Sequence, residues 1–277
     1  MKLTRTILKI TVLAALLIFA FAAVGTGPSA AKKSSKKTPC KSDLAHCPDQ
    51  RCGGDFDPEV NKLKNTRPDD SRASGPATAR TLAWMKNLDN PEEFEKGQDR
   101  DELATAGEGS HVSIVAYLIG IKPEGGESCN CGLTKKEWTD NHLVLVSKAT
   151  VKKFPLDSEE DGEDAFHARE RESIPAEFTP RVRLTHPNFT REKVLPLLKD
   201  APEGALLVRV SGMLTFDSEH FVHNPLKRVN HWEVHPILKF EYCSAGSNCT
   251  AQSASGWTSL ADFWSSRSAY DGERLHT

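Results

Sequence analysis

The stretch from Arg228 to Tyr242 restricts the fold most, because its polar and apolar residues alternate. In an extended strand, alternate residues share a face. His231, Glu233 and His235 are therefore predicted to project from one face. The opposite face carries the apolar residues Trp232, Val234, Pro236, Leu238, Phe240 and Tyr242. The apolar face predicts packing on a core, and two imidazoles around a carboxylate predict a candidate site.

Four earlier stretches also have the composition of strands, and a helix is predicted from Phe189 to Lys199. The strand-like stretches are 112–121, 142–146 (running on toward Val151), 174–184 and 205–216. The order β-β-β-α-β-β is that of the OB-fold, although many small α+β domains share parts of it. We therefore predict a mainly β (α+β) domain at 109–243, a five-stranded OB-like Greek-key barrel with a helix between strands 3 and 4.

The flanking regions are predicted to be less regular than the barrel. Residues 32–77 have the composition of a polar, Cys-containing linker segment, and residues 244–277 that of a Ser-rich tail, either a short docked helix or partly disordered. Residues 78–108 are predicted to be a helical segment in two pieces. The second piece begins at Pro91 after an Asn90 cap, as Pro favours the first helical position.

Residues 1–31 have the pattern of a signal peptide: basic residues, an apolar run at 10–24 and small residues up to Ala31. The run is short for a membrane helix of about 20 residues. We predict a secreted or periplasmic protein without a membrane span after cleavage; an uncleaved anchor is the alternative. Removing Lys2, Arg5 and Lys9 changes the formal charge from −2 to −5. This acidic balance argues against non-specific nucleic-acid binding, which needs a basic surface.

Seven cysteines in an exported chain predict disulfides. Cys243 and Cys249 are the simplest local pair, and the remaining connectivity stays open. Zinc is the competing interpretation for the first three, although their spacing matches no common zinc motif. The odd number leaves one thiol free or in a disulfide-linked dimer. The candidates are Cys40, Cys47, Cys52, Cys129, Cys131, Cys243 and Cys249.

The predicted topology brings acidic residues and histidines together, because the loops between strands 1 and 2 and between strands 4 and 5 flank the binding cleft of an OB-fold. Imidazole with carboxylate suits a transition metal such as zinc, or acid–base chemistry. The candidate metal ligands are His142, His220 and His235. The candidate catalytic residues are Asp140, His142, Glu177, Asp217 and Glu233. The candidate ligand-binding residues are Arg181, Arg183 and His231.

A simpler interpretation stays open for these residues. One face of each strand of an antiparallel sheet commonly faces water. Alternatively, His142 and His235 are buried and hydrogen-bonded to their Asp and Glu neighbours, with no ligand of their own.

Several short motifs resemble a group of uncharacterised exported bacterial proteins. The motifs of that group are D-x-H-L-V-L, matched from Asp140, A-E plus an apolar residue, matched from Ala176, G-x-x-F-F-D-x-x-H, matched from Gly212, and x-E-x-H-P-x, matched around Glu233. The resemblance covers about residues 140–237, and Thr215 departs from it where an aromatic residue is usual. It implies that one set of residues belongs together, without implying a chemistry. That set is Asp140, His142, Glu177, Asp217, His220, Glu233 and His235.

Three functions follow as hypotheses. The first is an exported ligand-binding module for an unknown small-molecule or envelope ligand. The second is a metal-dependent hydrolase, resembling a phosphodiesterase or nuclease, with a divalent metal such as zinc as its cofactor. The third is a structural envelope protein linked through its cysteines to a partner.

Overall fold

The computed structural model describes residues 40–50, 56–155, 162–221, 227–244 and 247–260. The predicted signal peptide lies outside these residues. The strands are β1 (Thr78–Thr81), β2 (His111–Pro123), β3 (Asn141–Val146), β4 (Ile174–Phe178), β5 (Leu206–Phe216), β6 (Trp232–Cys243) and β7 (Trp257–Ser259). The helices are α1 (Pro58–Lys64), α2 (Leu82–Lys86), α3 (Asp101–Ala106), α4 (Lys148–Lys153), α5 (Gly162–Glu170), α6 (Pro180–Arg183) and α7 (Arg191–Lys199).

The strands form a closed barrel. Neighbouring strands follow the order β2-β3-β4-β6-β5, and β2 also pairs with β5, which closes the sheet. β4 and β6 are parallel and the other barrel pairs are antiparallel. α6 and α7 lie between β4 and β5 in the chain. The predicted OB-like barrel, with its helix between strands 3 and 4, is therefore confirmed.

The alternation of the strands sets which side chains fill the barrel. In the first part of β2, Val112, Ile114 and Ala116 are buried while the residues between them are half-buried. On β6, Trp232 and Val234 belong to the same core. Glu233 and His235 therefore project from the outer face of the barrel, as the period of two predicts.

Gly212 allows β6 to approach β5 closely beside His235. A Cβ atom at this position would lie 2.1 Å from the carbonyl oxygen of Pro236, a contact that no side chain tolerates. The pairing register shifts on both sides of Gly212, which is the signature of a bulge. Thr215 Oγ1 donates a hydrogen bond to the His235 carbonyl at 2.7 Å. The bulge therefore fixes the backbone that carries His235.

The region preceding the barrel is more ordered than its composition predicts. Residues 58–64, placed by composition in a linker, form α1, because Asp57 caps the helix by accepting from the amides of Glu59 and Val60. Leu63 joins the barrel core. α1 packs against β5 and β6 on the outer face of the barrel.

Some predicted elements differ in the structure. Residues 78–81 form strand β1 rather than helix, and no helix begins at Pro91; the next helix is α3. The predicted extension of strand 2 toward Val151 is wrong, because Ser147 caps α4. The third strand ends at Phe178, where Thr179 caps α6 and Pro180 occupies its first position. In the tail, β7 pairs with β6, and residues 261–277 lie outside the described part.

The disulfides join Cys47 to Cys131 and Cys243 to Cys249, so the predicted local pair is confirmed. Cys40 is disulfide-bonded as well, and Cys52 lies outside the described residues. Cys129 has a free thiol and is buried. Among the described residues, no helix is long and apolar enough to cross a membrane.

Candidate functional site

Three barrel strands place a histidine–glutamate–histidine row on the outer face. His142 of β3 pairs directly with Glu177 of β4, and β4 runs beside β6 with Ala176 opposite Val234. The two oxygens of Glu177 therefore face two imidazoles. Oε1 lies 3.3 Å from His142 Nδ1, and Oε2 lies 3.6 Å from His235 Nδ1.

Two buried cations connect this row to the β5–β6 connection. Lys64 Nζ of α1 lies 3.1 Å from Asp217 and 3.2 Å from Glu233. Arg228 bonds to the same two carboxylates at 2.6 and 3.1 Å. His220 bonds to Asp217 through Nδ1 at 2.8 Å. The structure therefore brings the acidic residues and histidines together. Between the carboxylates lie two cationic side chains whose positions were not predicted from the sequence.

The β2–β3 connection supplies the remaining wall. Asp140 Oδ2 lies 3.5 Å from His235 Nε2 and 3.9 Å from Cys129 Sγ. Asn130 donates to Asp140 Oδ1 at 3.0 Å, and Cys129 Sγ lies 3.4 Å from an oxygen of Glu127. We call the whole group the outer-face cluster. Its members are Lys64, Glu127, Cys129, Asp140, His142, Glu177, Asp217, His220, Arg228, Glu233 and His235.

Most of the outer-face cluster is inaccessible to water. The side chains of Asp140 and His235 are 0% exposed and that of Glu233 is 1% exposed. The interpretation that this polar face sees solvent is therefore wrong for its centre, because α1 and the β2–β3 connection cover it. Its edge is more open: the side chains of His142 and His220 are 15% and 55% exposed. A ligand would enter from this edge.

Burial and neighbouring charges move the pKa values of the carboxyl groups in opposite directions. Burial, offset in part by His235, raises the pKa of Asp140 to about 6. Burial also raises the pKa of Glu127 well above its ordinary value. For Glu177 burial acts in the same direction, yet His235 and His142 hold its pKa below the usual range. Asp140 and Glu177 therefore lie on either side of His235 with opposite pKa shifts.

Carboxylates outnumber the permanent cations in the outer-face cluster. Lys64 and Arg228 are the lysine and arginine that form ion pairs within it, whereas Glu127, Asp140, Glu177, Asp217 and Glu233 are acidic. Unbalanced buried charge is costly without a paired ion or a bound proton. Burial raises the pKa of Glu127, and the hydrogen bond from His220 to Asp217 raises the pKa of His220. Burial would lower the pKa of His235, but Glu177 and Glu233 raise it, so bound protons supply part of the compensation. A bound metal ion would replace these protons.

Two buried atoms of the outer-face cluster have no hydrogen-bond partner, His235 Nε2 and Glu177 Oε2. Their residues, His235 and Glu177, occur in groups of three residues whose potential metal-ligand atoms lie within 4.8 Å of one another. These groups are Cys129 with Asp140 and His235, Glu177 with Glu233 and His235, and Glu127 with Asp140 and Glu177. Each group has the N, O or S donors of a transition-metal site.

The predicted ligand-binding arginines are engaged elsewhere. Both lie on α6 rather than on a strand face, beside a groove of about 870 Å³. Arg181 donates to the side chain of Asn65 and to the carbonyl of Cys47, each at 2.7 Å, which ties the N-terminal segment to the barrel. Arg183 donates to the Thr139 carbonyl and to Asn141. Arg181 also forms an ion pair with Asp49 at 3.3 Å, so both guanidinium groups are engaged by other residues of the protein.

His231 also lies apart from the cluster. Its ring packs 5.1 Å from Phe221 and 5.8 Å from Phe216, between centroids. Burial and the nearby Arg228 lower its pKa to about 4. The imidazole of His231 therefore packs against aromatic side chains. The sequence pattern placed His231 on the polar face of the strand, but β6 begins only at Trp232.

Four members of the outer-face cluster were not predicted as site residues of this kind. Lys64 arrives on a helix in a region predicted to be a linker, and no sequence period locates it. Glu127 and Arg228 lie on loops, where periodicity carries no information. Cys129 was considered only as a disulfide partner, although the odd number of cysteines indicated that one thiol would be left over.

Comparison with protein-family models, curated proteins and solved structures finds no match for this chain.

Proposed function

We propose that this protein is an exported OB-like barrel that binds a divalent metal ion in the outer-face cluster. The ion takes His235 together with carboxylates of Asp140 or Glu177 as ligands. It enters past His142 and His220, the more exposed histidines of the cluster. This is the ligand-binding hypothesis with its ligand specified as a metal cation.

The unpaired Nε2 atom of His235 is the observation that carries the proposal. It is fully buried, without a hydrogen-bond partner, and faces a carboxylate in a group of carboxylates that outnumbers its cations. A buried polar atom without a partner costs about 1–3 kcal/mol. A metal ion bound at this atom removes that cost and takes the place of the protons that otherwise compensate the buried carboxylates.

Removing the imidazole of His235 tests the proposal directly. We expect His235→Gln to lose more than about 100-fold in affinity for Zn²⁺, because even outer-sphere partners of a metal ligand contribute 10–100-fold. The measurement is isothermal titration calorimetry of the chelator-treated mature protein, with metal analysis of the untreated protein.

His231→Gln is the matched control, since it removes a buried imidazole that lies directly before β6, packs on Phe216 and Phe221 and is not a proposed ligand. We expect its Zn²⁺ affinity to equal that of the wild type. If the wild type binds neither Zn²⁺, Co²⁺ nor Mn²⁺, or if both variants lose affinity equally, the proposal is wrong.

A metal-dependent hydrolase is the second candidate, favoured by the position of His142 beside Glu177 at the more exposed edge of the cluster. His142, bonded to Glu177 at the more open edge, would serve as the base that activates water. We expect any Zn²⁺- or Mn²⁺-dependent cleavage of bis(p-nitrophenyl) phosphate to fall about 100-fold or more in His142→Gln. If the metal-loaded protein does not cleave this substrate, the hydrolase hypothesis is contradicted and the proposed metal binding is unaffected.

The proposal that the protein is exported is supported by its disulfides. Disulfides form and persist in oxidising compartments, and Cys47–Cys131 and Cys243–Cys249 fit an extracytoplasmic location. The envelope hypothesis of a disulfide-linked dimer receives less support. Cys129 is the free thiol among the described cysteines, and with 2% exposure it does not reach a partner chain.

A further inference from the structure

Cys129 lies in the outer-face cluster in a position that the disulfides fix. It belongs to a short 3-10 turn at Ser128–Asn130, directly before Cys131, whose disulfide to Cys47 anchors the turn to the N-terminal segment. Asn65 donates to the Cys129 carbonyl at 2.9 Å. The Cys129 thiol thereby lies against the carboxyl groups of Glu127 and Asp140.

The ring of His235 is oriented by its other nitrogen. Nδ1 lies 3.2 Å from Glu233 Oε1, and Glu233 is itself held by Lys64 and Arg228. A carboxylate on one ring nitrogen fixes the tautomer and presents the other nitrogen to a metal. The nitrogen so presented is Nε2, the buried atom without a hydrogen-bond partner.

Asp140 is oriented in the same way. Its Oδ1 accepts the hydrogen bond from Asn130, which leaves Oδ2 between Cys129 Sγ and His235 Nε2. The distances from Oδ2 are 3.9 Å to the sulfur and 3.5 Å to the nitrogen. Around a tetrahedral zinc ion with bonds of 2.0–2.3 Å, neighbouring ligand atoms lie about 3.3–3.7 Å apart. The two distances from Asp140 Oδ2 are therefore close to those between zinc ligands, and the ligand atoms of the three residues lie within 4.8 Å of one another.

We propose that Cys129 Sγ, Asp140 Oδ2 and His235 Nε2 are the ligands of one thiolate-containing zinc site, with the fourth position facing Glu127. This inference rests on the proposed metal binding and specifies its ligands. Binding requires the thiolate, so the thiol proton is released to solvent when the ion enters. A sulfur and a nitrogen among the ligands favour Zn²⁺, Cd²⁺ and Co²⁺ over Mn²⁺ and Mg²⁺.

Cobalt reports the sulfur ligand directly. We expect chelator-treated mature protein titrated with Co²⁺ to develop a sulfur-to-cobalt charge-transfer band in the near ultraviolet, with visible bands of tetrahedral intensity. Cys129→Ser should lose the charge-transfer band. It should also bind Cd²⁺ at least about 10-fold more weakly, with a smaller loss for Mn²⁺, since a hydroxyl is a poor substitute for a thiolate with soft metals.

Cys129→Ala is the second variant, in case a hydroxyl in this buried position impairs folding, and circular dichroism checks both. The wild-type spectrum decides the question even if neither variant folds. Co²⁺ binding without a charge-transfer band overturns the thiolate site and leaves metal binding standing. No binding of Co²⁺, Cd²⁺ or Mn²⁺ overturns the proposed function itself.

Discussion

Replacement of Lys64 by Met is expected to lower the free energy of unfolding at pH 7 by about 3–5 kcal/mol, the cost of breaking a buried ion pair from one side. Burial alone would lower the pKa of Lys64, but Asp217 and Glu233 hold it well above its ordinary value. Without the ammonium, both carboxylates stay buried with Arg228 as the remaining cation. Urea unfolding followed by tryptophan fluorescence measures the loss.

Lys62→Met is the matched control, because Lys62 is exposed on the same helix. Its effect should stay within about 0.5 kcal/mol. The double variant Lys64→Met with Asp217→Asn should lose less than the sum of the single variants, with a coupling of about 0.5–3 kcal/mol. Equal losses for the Lys64 and Lys62 variants would show that the ammonium contributes nothing specific.

The deficit of Lys64→Met should also depend on pH in a defined direction. Burial would raise the pKa of Asp217, but Lys64 and Arg228 hold it well below 3.8. A carboxyl group with a lowered pKa stabilises the folded state above 3.8, and that stabilisation is lost as the pH falls through the folded value. The difference between wild type and Lys64→Met should therefore shrink as the pH is lowered toward and below 3.8.

Removal of the Cys47–Cys131 disulfide should have a comparable effect on stability. The bond joins residues 84 positions apart, and a loop of that length contributes about 4–5 kcal/mol through the entropy of the unfolded chain. We expect the double variant Cys47→Ser, Cys131→Ser to lose about that amount in urea unfolding. Because the Cys47–Cys131 disulfide also anchors the turn that carries Cys129, the double variant should bind Zn²⁺ more weakly than the wild type.

The Cys243–Cys249 disulfide is the natural comparison, as its separation of 6 residues contributes only about 2–2.5 kcal/mol on the same basis. The double variant Cys243→Ser, Cys249→Ser should lose about half as much stability and keep the Zn²⁺ affinity of the wild type. A smaller loss for Cys47–Cys131 than for Cys243–Cys249 would contradict the expectation.

The barrel itself was predictable because its signals are local. Apolar residues at every second position marked all five barrel strands, and Gly and Pro residues around 202–204 marked the end of the helix before β5. Two of the errors fall where a capping residue ends the strand pattern. Thr179 and Ser147 begin short helices that interrupt what looks like continued strand, and caps of this kind act over three residues only.

Part of the site was predictable because the alternation along each strand is also a local signal. The period of two placed Glu177, Glu233 and His235 on one outer face, and the loop order of the OB-fold brought Asp140 and Asp217 toward it. Arg181 and His231 were placed wrongly, because the strands that were to carry them stop short of those residues.

The sequence by itself determined the order of the strands, the faces of their side chains and the presence of an unpaired cysteine. Only the tertiary structure decided that the polar face is covered, because the cover comes from α1 and from a disulfide-anchored loop that no period relates to β6. Burial then changes the meaning of the same residues. On an open strand face His235 and Asp140 would be solvated groups. In the covered cluster Nε2 of His235 lies 3.5 Å from Asp140 without a hydrogen bond, and the buried carboxylates need bound protons or a cation.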